Sequence, residues 1–594
     1  MGEGPWTRIN PPADAAELIA SSPLFLGADS AALGAVEAAV SWILLKGGED
    51  LFVEGDTADA AYLLARGRID VHSAGTLLSQ LGPGQVIGEA GLLGSGDRSA
   101  TATAVRDSIL MRFDPTQFEE LAATRPAIAR RLAAVVAERL SNREVAPRHL
   151  RAPRVVALVS PGGRVPLDEL VTTLATAMPH DIVVRLATTA ETSAWIADGD
   201  ASARLLEAEA RSDLVLVAVG ADGGANREVL RQADLVLVAV DSATPRRATA
   251  AVIDAQVRPT ELLVCGPRGT RPREVGAATA VSHVEVGNAE NLERLARRLT
   301  GRAVGLVLGG GGARGFAHIG AVRAIREAGI PIDRVGGSSM GAIIGAQVAM
   351  GWSTDEMLER NRRWSRWLVA EPTIPTVALA RGTRAAELIR SFFAGLDIED
   401  LPLEFFCTTA DLTTYSLHIA TRGPVAQWVA ASAAVPGLWP PFVDAQGHLH
   451  ADGGILDNVP TAVMRSRAVG PVVAADVCAR QAAMQVEPAV DGSTPTPLRV
   501  PLRQVIRPRP GARPPGVLDL VNRANLLASL QAWEHAQEHA DLYLTPDTGQ
   551  FGFGSFDQVT ALAELGYRSA ARQIESSGAT ALLAGAAQLP RSQM

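Results

Sequence analysis

Two glycine clusters, each standing where a short apolar run ends, restrict what this chain can fold into more than any other feature. The first, "LGGGGARG" (308–315), puts four glycines where a strand should turn into a helix. Glycines there let backbone N–H groups converge on one small anion, and the dipole of the following helix adds positive potential. Two anions suit such a loop. One is the pyrophosphate of a dinucleotide, because Gly310, Gly312 and Gly315 also satisfy GxGxxG; the other is the oxyanion of an acyl-transfer intermediate. A dinucleotide fold needs an acidic residue about 20 positions on, at the end of the second strand. Asp333 is near that distance but precedes the strand, and Gly336, Gly337 and Ser339 stand where the acid belongs. The second cluster, "VGGSSMGA" (335–342), has the Gly337, Ser339, Gly341 spacing of a nucleophile elbow, a sharp strand-to-helix turn that tolerates only tiny neighbours around an exposed hydroxyl. An oxyanion loop feeding such an elbow explains both clusters at once.

A serine nucleophile needs a base, and the chain has ten histidines. His318 ("FAHIG") falls in the helix after the glycine loop, where packing or capping is the expected role. The stretch "GHLHADGGILDN" (447–458) is more telling. Asp452 ends a short extended run and is followed by Gly453 and Gly454, which leaves unhindered backbone beside its carboxylate. His448 and His450 share its face by strand alternation, so a Ser-His-Asp triad stays open. A histidine two residues from the aspartate, however, points parallel to it rather than bridging it to Ser339. The favoured arrangement is a Ser339–Asp452 dyad. It works only where partial desolvation raises the aspartate above its solution pKa of about 3.9.

With 594 residues and about 100–200 per domain, the chain should be multidomain. Alternating short runs with glycine turns between Gly47 and Phe113, then a helical pattern from Pro115, predict an N-terminal β-barrel plus helices over 1–145. The basic, proline-punctuated stretch 146–153 reads as a linker. Apolar runs such as "RVVALVS", "SDLVLVAVG" and "ADLVLVAVD" alternate with helical segments over 154–300, predicting a middle α/β domain with a parallel sheet. The near-identical runs starting at Asp213 and Asp234 suggest neighbouring strands joined by a short crossover. "SPGGRVPLDEL" (160–170) lacks the GK[ST] of a phosphate loop, so no ATP hydrolysis is expected there. A C-terminal α/β hydrolase follows over 301–575, interrupted at 483–516 by a Pro/Arg-rich stretch expected to be a mobile insertion, with a tail at 576–594. Within the insertion, Arg499, Arg503, Arg507, Arg509 and Arg513 suit an anionic membrane surface or, equally, a solvated tether.

The net charge of −9 gives no support for nucleic acid as a partner. Cys265, Cys407 and Cys478 lie apart in apolar surroundings, as expected of buried thiols in a reducing cytosol. No stretch approaches the ~18 apolar residues that span a bilayer, and the first residues lack the order of a secretory signal. A cytoplasmic chain with at most peripheral membrane contact is expected. His535 and His539, one helical turn apart in "EHAQEH", read as a solvated helix face rather than a metal pair.

Four blocks, "GGGARG", "GGSSMGA", "AASAAVPGLWPP" and "DGGILDNVP", together resemble the patatin-like phospholipases, in that family's order. The resemblance implies Ser339 as nucleophile and Asp452 as base. It also implies an oxyanion hole of glycine-loop amides around Gly310, Gly311 and Gly312, organised by Arg314, and a scaffold role for residues 430–441. Ser338, where similar sequences often carry threonine, is a departure either hydroxyl satisfies.

In "IGEAGLLGSGDRSATA" (87–102), Glu89 and Arg98 flank a glycine turn. A guanidinium clamps phosphate in fork geometry and a carboxylate accepts a ribose hydroxyl, so the pair suits a sugar phosphate. With "GEDLFVEGD" and "LLARGRIDV", the segment resembles the cyclic nucleotide-binding domain. By that analogy Glu89 holds the ribose, Arg98 the cyclic phosphate, and Gly88, Ser99 and Ala100 add short contacts. Barrel, glycine-turn α/β module and patatin-like module in this order resemble the neuropathy target esterase type of lysophospholipase. The function expected is a serine esterase acting on lysophospholipids or phospholipids, needing no cofactor, with cAMP or cGMP as effector. Its expected partners are a lipid substrate and a membrane surface, with a homodimer admitted. The rival is a nucleotide receptor whose hydrolase fold is catalytically silent.

Overall fold

The computed structural model describes residues 6–578 apart from 131–151, 479–529 and shorter stretches, chiefly 89–95, 125–129, 221–225 and 366–370. The expected insertion at 483–516 with its five arginines, and most of the linker at 146–153, lie outside the described residues. The chain divides into two compact units, one formed mainly by residues 1–302 and the other by 303–464 with 470–587.

The first unit holds both the barrel and the middle sheet. The barrel closes from a five-stranded sheet, in the order Thr7–Arg8, Ser41–Leu45, Ser108–Phe113, Ala61–Arg66, Val86–Ile87, and a four-stranded sheet, in the order Asp50–Phe52, Thr101–Ala104, Ile69–Ser73, Thr76–Leu81. Alternation along these strands turns Ile43, Leu64, Leu110 and Ala102 into a dry interior. The helix Pro115–Thr124 follows.

The middle domain is a parallel sheet of six strands: Val155–Val159, Val184–Ala187, Leu214–Val219, Leu235–Val240, Thr260–Cys265 and Val281–Val284. In space their order is second, third, first, fourth, fifth, sixth. The twin LVLVAV runs are therefore not neighbours, contrary to the sequence reading, because Val155–Val159 pairs with both. The aspartate that opens each run explains the likeness. Asp213 accepts the Val183 amide at 2.9 Å, and Asp234 accepts the Arg154 and Val155 amides at 2.7 and 3.0 Å. Each carboxylate thus fixes where the adjacent strand enters the sheet, and every residue of both runs is buried.

Asp234 also explains why barrel and sheet form one unit. Arg106 and Arg68, both from the barrel, reach its Oδ1 at 3.0 and 3.5 Å, and Arg106 additionally forks onto Glu209 at 2.6 and 3.0 Å. Burial would push the Asp234 carboxyl up, but Arg106, Arg68 and the two amides hold it below its ordinary value.

The second unit is built on an eight-stranded sheet. Its elements in chain order are β1 (Gly305–Leu308), α1 (Ala317–Glu327), β2 (Arg334–Ser338), α2 (Met340–Ala349), α3 (Thr383–Phe393), β3 (Glu404–Asp411), β4 (Ser416–Ala420), α4 (Val425–Ser432), β5 (Phe442–Val443), β6 (Leu449–Asp452), β7 (Val472–Ala475), β8 (Leu542–Leu544) and α5 (Val559–Ser577). The sheet runs β5-β6-β3-β2-β1-β7-β8, with β4 also on β3. The strands from β3 to β8 along that path are parallel, whereas β4, β5 and β6 join antiparallel. The glycine loop and Ser339 thus follow two adjacent central strands, and Asp452 ends a strand that pairs with the next.

Helices α1 and α5 cross almost backbone to backbone. A Cβ on Gly320 would lie 1.8 Å from the Ala563 carbonyl oxygen, and one on Gly566 would lie 2.0 Å from that of Ala317. Gly320→Ala and Gly566→Ala should each lower the unfolding temperature of this unit in scanning calorimetry, by a free energy of more than about 2 kcal/mol. An unchanged transition in both would show that the helices part without cost.

Candidate active site

Ser339 sits between β2 and α2 with φ 55° and ψ −123°. Among the described residues only Tyr415 shares a positive φ without being glycine. The surrounding packing holds this strained turn. A Cβ on Gly341 would come within 2.0 Å of the Leu308 carbonyl oxygen, and one on Gly337 within 2.6 Å of the Gly341 backbone. The glycines of GxSxG are required by contact.

The turn aims the Ser339 hydroxyl at β6, where Oγ donates to Asp452 Oδ2 at 2.6 Å across 113 residues of sequence. The other carboxylate oxygen accepts the Gly454 amide at 2.8 Å. Burial pushes the Asp452 carboxyl up to about 6, against the pull of those two hydrogen bonds. Residues 430–441 contribute more than scaffold: Ser432 Oγ accepts the Ser339 amide at 2.9 Å, and the Ala434 carbonyl accepts the Asp452 amide at 2.9 Å.

The histidines are engaged elsewhere. His450 is buried between Thr409 at 3.0 Å and Asp444 at 3.1 Å, and His448 lies 3.1 Å from Asp411. Neither bonds Ser339 or Asp452, so the triad left open in the sequence does not form. His318 has the packing role expected of it. Its Nε2 bonds the Gly309 carbonyl oxygen at 2.7 Å, which makes Nε2 the protonated nitrogen, and burial pushes the ring down to about 4, leaving it neutral.

The glycine loop meets its expectation in part. Gly310 donates its amide to the Asn458 carbonyl at 3.2 Å, so it cannot serve an incoming oxyanion as expected. The Gly311 and Gly312 amides have no acceptor among the described residues. Arg314 Nε donates to the Phe551 carbonyl at 2.8 Å and the Ala313 amide to that of Phe553 at 2.9 Å, which pins the loop to the segment before α5. An apolar cavity of about 240 Å³ opens over Ser339, walled by Met340, Ile343, Ile389, Trp439, Phe442 and Phe553.

A patatin-like phospholipase model matches residues 306–465, and a cyclic nucleotide-binding domain model matches 43–125. An uncharacterized NTE family protein of Mycobacterium tuberculosis is 32% identical over 538 residues, covering 88% of this chain and 90% of its own. The chain belongs to the NTE family. More distant relatives are the neuropathy target esterase sws of Drosophila melanogaster, 28% identical over 74% of this chain and 36% of its own length, and lysophospholipase NTE1 of Mycosarcoma maydis, 25% identical over 91% and 34%. This NTE family chain therefore spans about a third of those two proteins.

In the cyclic nucleotide-binding domain of this family member, Arg98 is buried and already engaged. It donates to Asp59 at 3.1 Å and to the carbonyls of Ala60 and Gly88 at 2.9 and 3.3 Å, and it stacks 4.1 Å over the Phe52 ring. Ser99 is exposed and Ala100 buried beside it, while Glu89 lies outside the described residues. Asp59 carried no motif, and Ser432 and Asn458, though inside quoted blocks, were not singled out in the sequence.

The raised pKa of Asp452 has a stability consequence. A folded value above the unfolded one means that the folded state is relatively stabilised below about 3.8 and loses that contribution as pH rises through about 6. Asp452→Asn should therefore raise the unfolding transition of the second unit at pH 8 by about 1–3 kcal/mol. That gain should fade below pH 4 in the same calorimetric measurement. A loss of stability at pH 8 would contradict the assigned burial cost.

Proposed function

We infer that this chain is a serine esterase cleaving acyl chains from lysophospholipids or phospholipids. The observation that carries the reading is the 2.6 Å bond from Ser339 Oγ to a buried carboxylate at the wall of an apolar cavity. Ser339 Oγ attacks the ester carbonyl while Asp452 takes its proton. Asp452 then returns the proton to the leaving alcohol, and water releases the acyl group by the reverse sequence. Gly311 and Gly312, whose amides are uncommitted, supply the oxyanion donors, and Arg314 and His318 hold the loop that presents them. No described helix is long and apolar enough to cross a membrane.

Ser339→Ala and Asp452→Asn should each lower kcat on a short p-nitrophenyl ester by at least about 1,000-fold. Because the base must be ionised, kcat/KM should fall as pH drops through about 6. A parent-like rate in Ser339→Ala, or no fluorophosphonate labelling of Ser339, would favour the rival reading of a silent hydrolase fold.

Cyclic nucleotide is the proposed effector. A phosphate entering at Arg98 must take over hydrogen bonds now given to Asp59, which supplies a ligand-dependent change in the barrel. Coupling to the esterase requires unequal affinity for two states, typically 5- to 150-fold. Calorimetric titration with cAMP and cGMP should give saturable heat that Arg98→Ala abolishes. Absence of heat at millimolar ligand would reduce the barrel to a docking module.

A further inference from the structure

The cavity over Ser339 carries a single charged side chain among its lining residues, Arg381, and the surrounding contacts leave that charge unspent. Several other arginines of this unit are ion-paired: Arg334 with Glu404, Arg363 with Glu359, and Arg384 with Glu371. Glu371 is the acid closest to hand for Arg381, since its carbonyl accepts the Arg381 amide at 2.9 Å. Its carboxylate, however, is occupied by the Thr383 hydroxyl, the Arg384 amide and the Arg384 guanidinium. The Arg381 guanidinium takes no carboxylate among the described residues.

The backbone that carries Arg381 is fixed against the cavity wall. The Leu379 and Ala380 amides donate to the Gly437 and Leu438 carbonyls at 2.9 and 3.0 Å, one residue short of Trp439, which lines the cavity. Gly382 follows at φ 68°, and a Cβ there would meet the Trp439 ring at 2.9 Å. An exposed cation is thus pinned at the mouth of an otherwise apolar chamber. Apart from Arg381, the cavity's lining is chiefly apolar, with Trp439, Pro440 and Phe442 among the residues around it. That arrangement complements an amphiphile whose acyl chain enters the cavity and whose anionic group stays at the entrance.

We propose that Arg381 is the headgroup anchor of this enzyme, binding the phosphate of a lysophospholipid whose acyl chain lies in the Ser339 cavity. The assignment rests on the esterase reading and adds to it the position that distinguishes phosphate-bearing from phosphate-free esters. A guanidinium donates a fork of N–H groups to phosphate oxygens, and losing one such charge-assisted contact costs on the order of 10- to 100-fold in affinity.

The test compares kcat/KM for a lysophosphatidylcholine and for a monoacylglycerol of the same acyl chain, both below their micelle concentrations, in the full chain. Arg381→Gln should lower the lysophospholipid-to-monoacylglycerol ratio about 10- to 100-fold, chiefly through KM, and Arg381→Lys should restore part of it. A ratio within twofold of the parent overturns the anchor while leaving the esterase intact. A second arm measures calorimetric binding of the same two lipids to Ser339→Ala, with and without Arg381→Gln. Glycerophosphocholine serves there as the phosphate source without an acyl chain. Phosphate-dependent binding lost with Arg381, in a parent that hydrolyses neither ester, sinks the esterase reading and keeps the anchor. Glycerophosphocholine binding as tightly as the lysophospholipid would mean a free-phosphate site and overturns the anchor. Equal binding of both lipids to Ser339→Ala with Arg381 in place does the same.

Discussion

The rest of the hydrolase unit depends on keeping one carboxylate buried and hydrogen-bonded to one hydroxyl. Among the described residues Asp452 has no cation beside it; its oxygens are met by Ser339 and by the Gly454 amide. A buried carboxylate with so little compensation resists ionisation, and that resistance is what the proposed role as base for the Ser339 proton requires. Neighbouring elements serve this contact. The β3–β6 pairing aligns Thr409 with Asp452, the Ala434 carbonyl fixes the aspartate's amide, and Ser432 fixes that of the serine. The elbow strain at Ser339 is borne by β1 and α2, which approach too closely for any side chain at Gly341.

The first unit uses buried charge in the opposite way. Asp234 is ringed by Arg68, Arg106 and two amides, so its ionised form is favoured despite full burial. A buried ion cluster of this kind contributes little net stability compared with apolar packing, but removing one partner strands the others. It therefore specifies how the barrel seats on the parallel sheet. The pair of aspartates in this chain, one raised and one lowered, shows that burial alone does not set a carboxylate's state; the company it keeps does.

Much of the site was legible in the sequence because its constraints are steric. Glycines cannot be replaced where backbones touch, so "GGSSMGA" and "DGGILDN" openly carry the elbow and the aspartate that meets it, and two strands ending in such turns imply an α/β fold of hydrolase type. Contacts made by common residues or by backbone left no trace. Ser432 is an ordinary residue in a block read as scaffold, and the loss of Gly310 as a donor depends on the Asn458 carbonyl 148 positions away. The twin LVLVAV runs misled because identical hydrophobic patterning reports burial on both faces, not adjacency. Only the positions of Asp213 and Asp234, each facing a neighbouring strand, carry the order.

Among the described residues no histidine bonds Ser339 or Asp452, so on the proposed esterase reading substrate binding and base strength would be tied together. In a triad the imidazole brings a pKa near neutrality with it, whereas here basicity comes from exclusion of water around Asp452. The wall that excludes it is also the wall of the cavity: Ala434 touches both, through its carbonyl to Asp452 and its side of the chamber over Ser339. On the esterase reading proposed above, an acyl chain seated in that chamber would shield the carboxylate further, so selection for long apolar chains would act on the proton-transfer step as well as on binding.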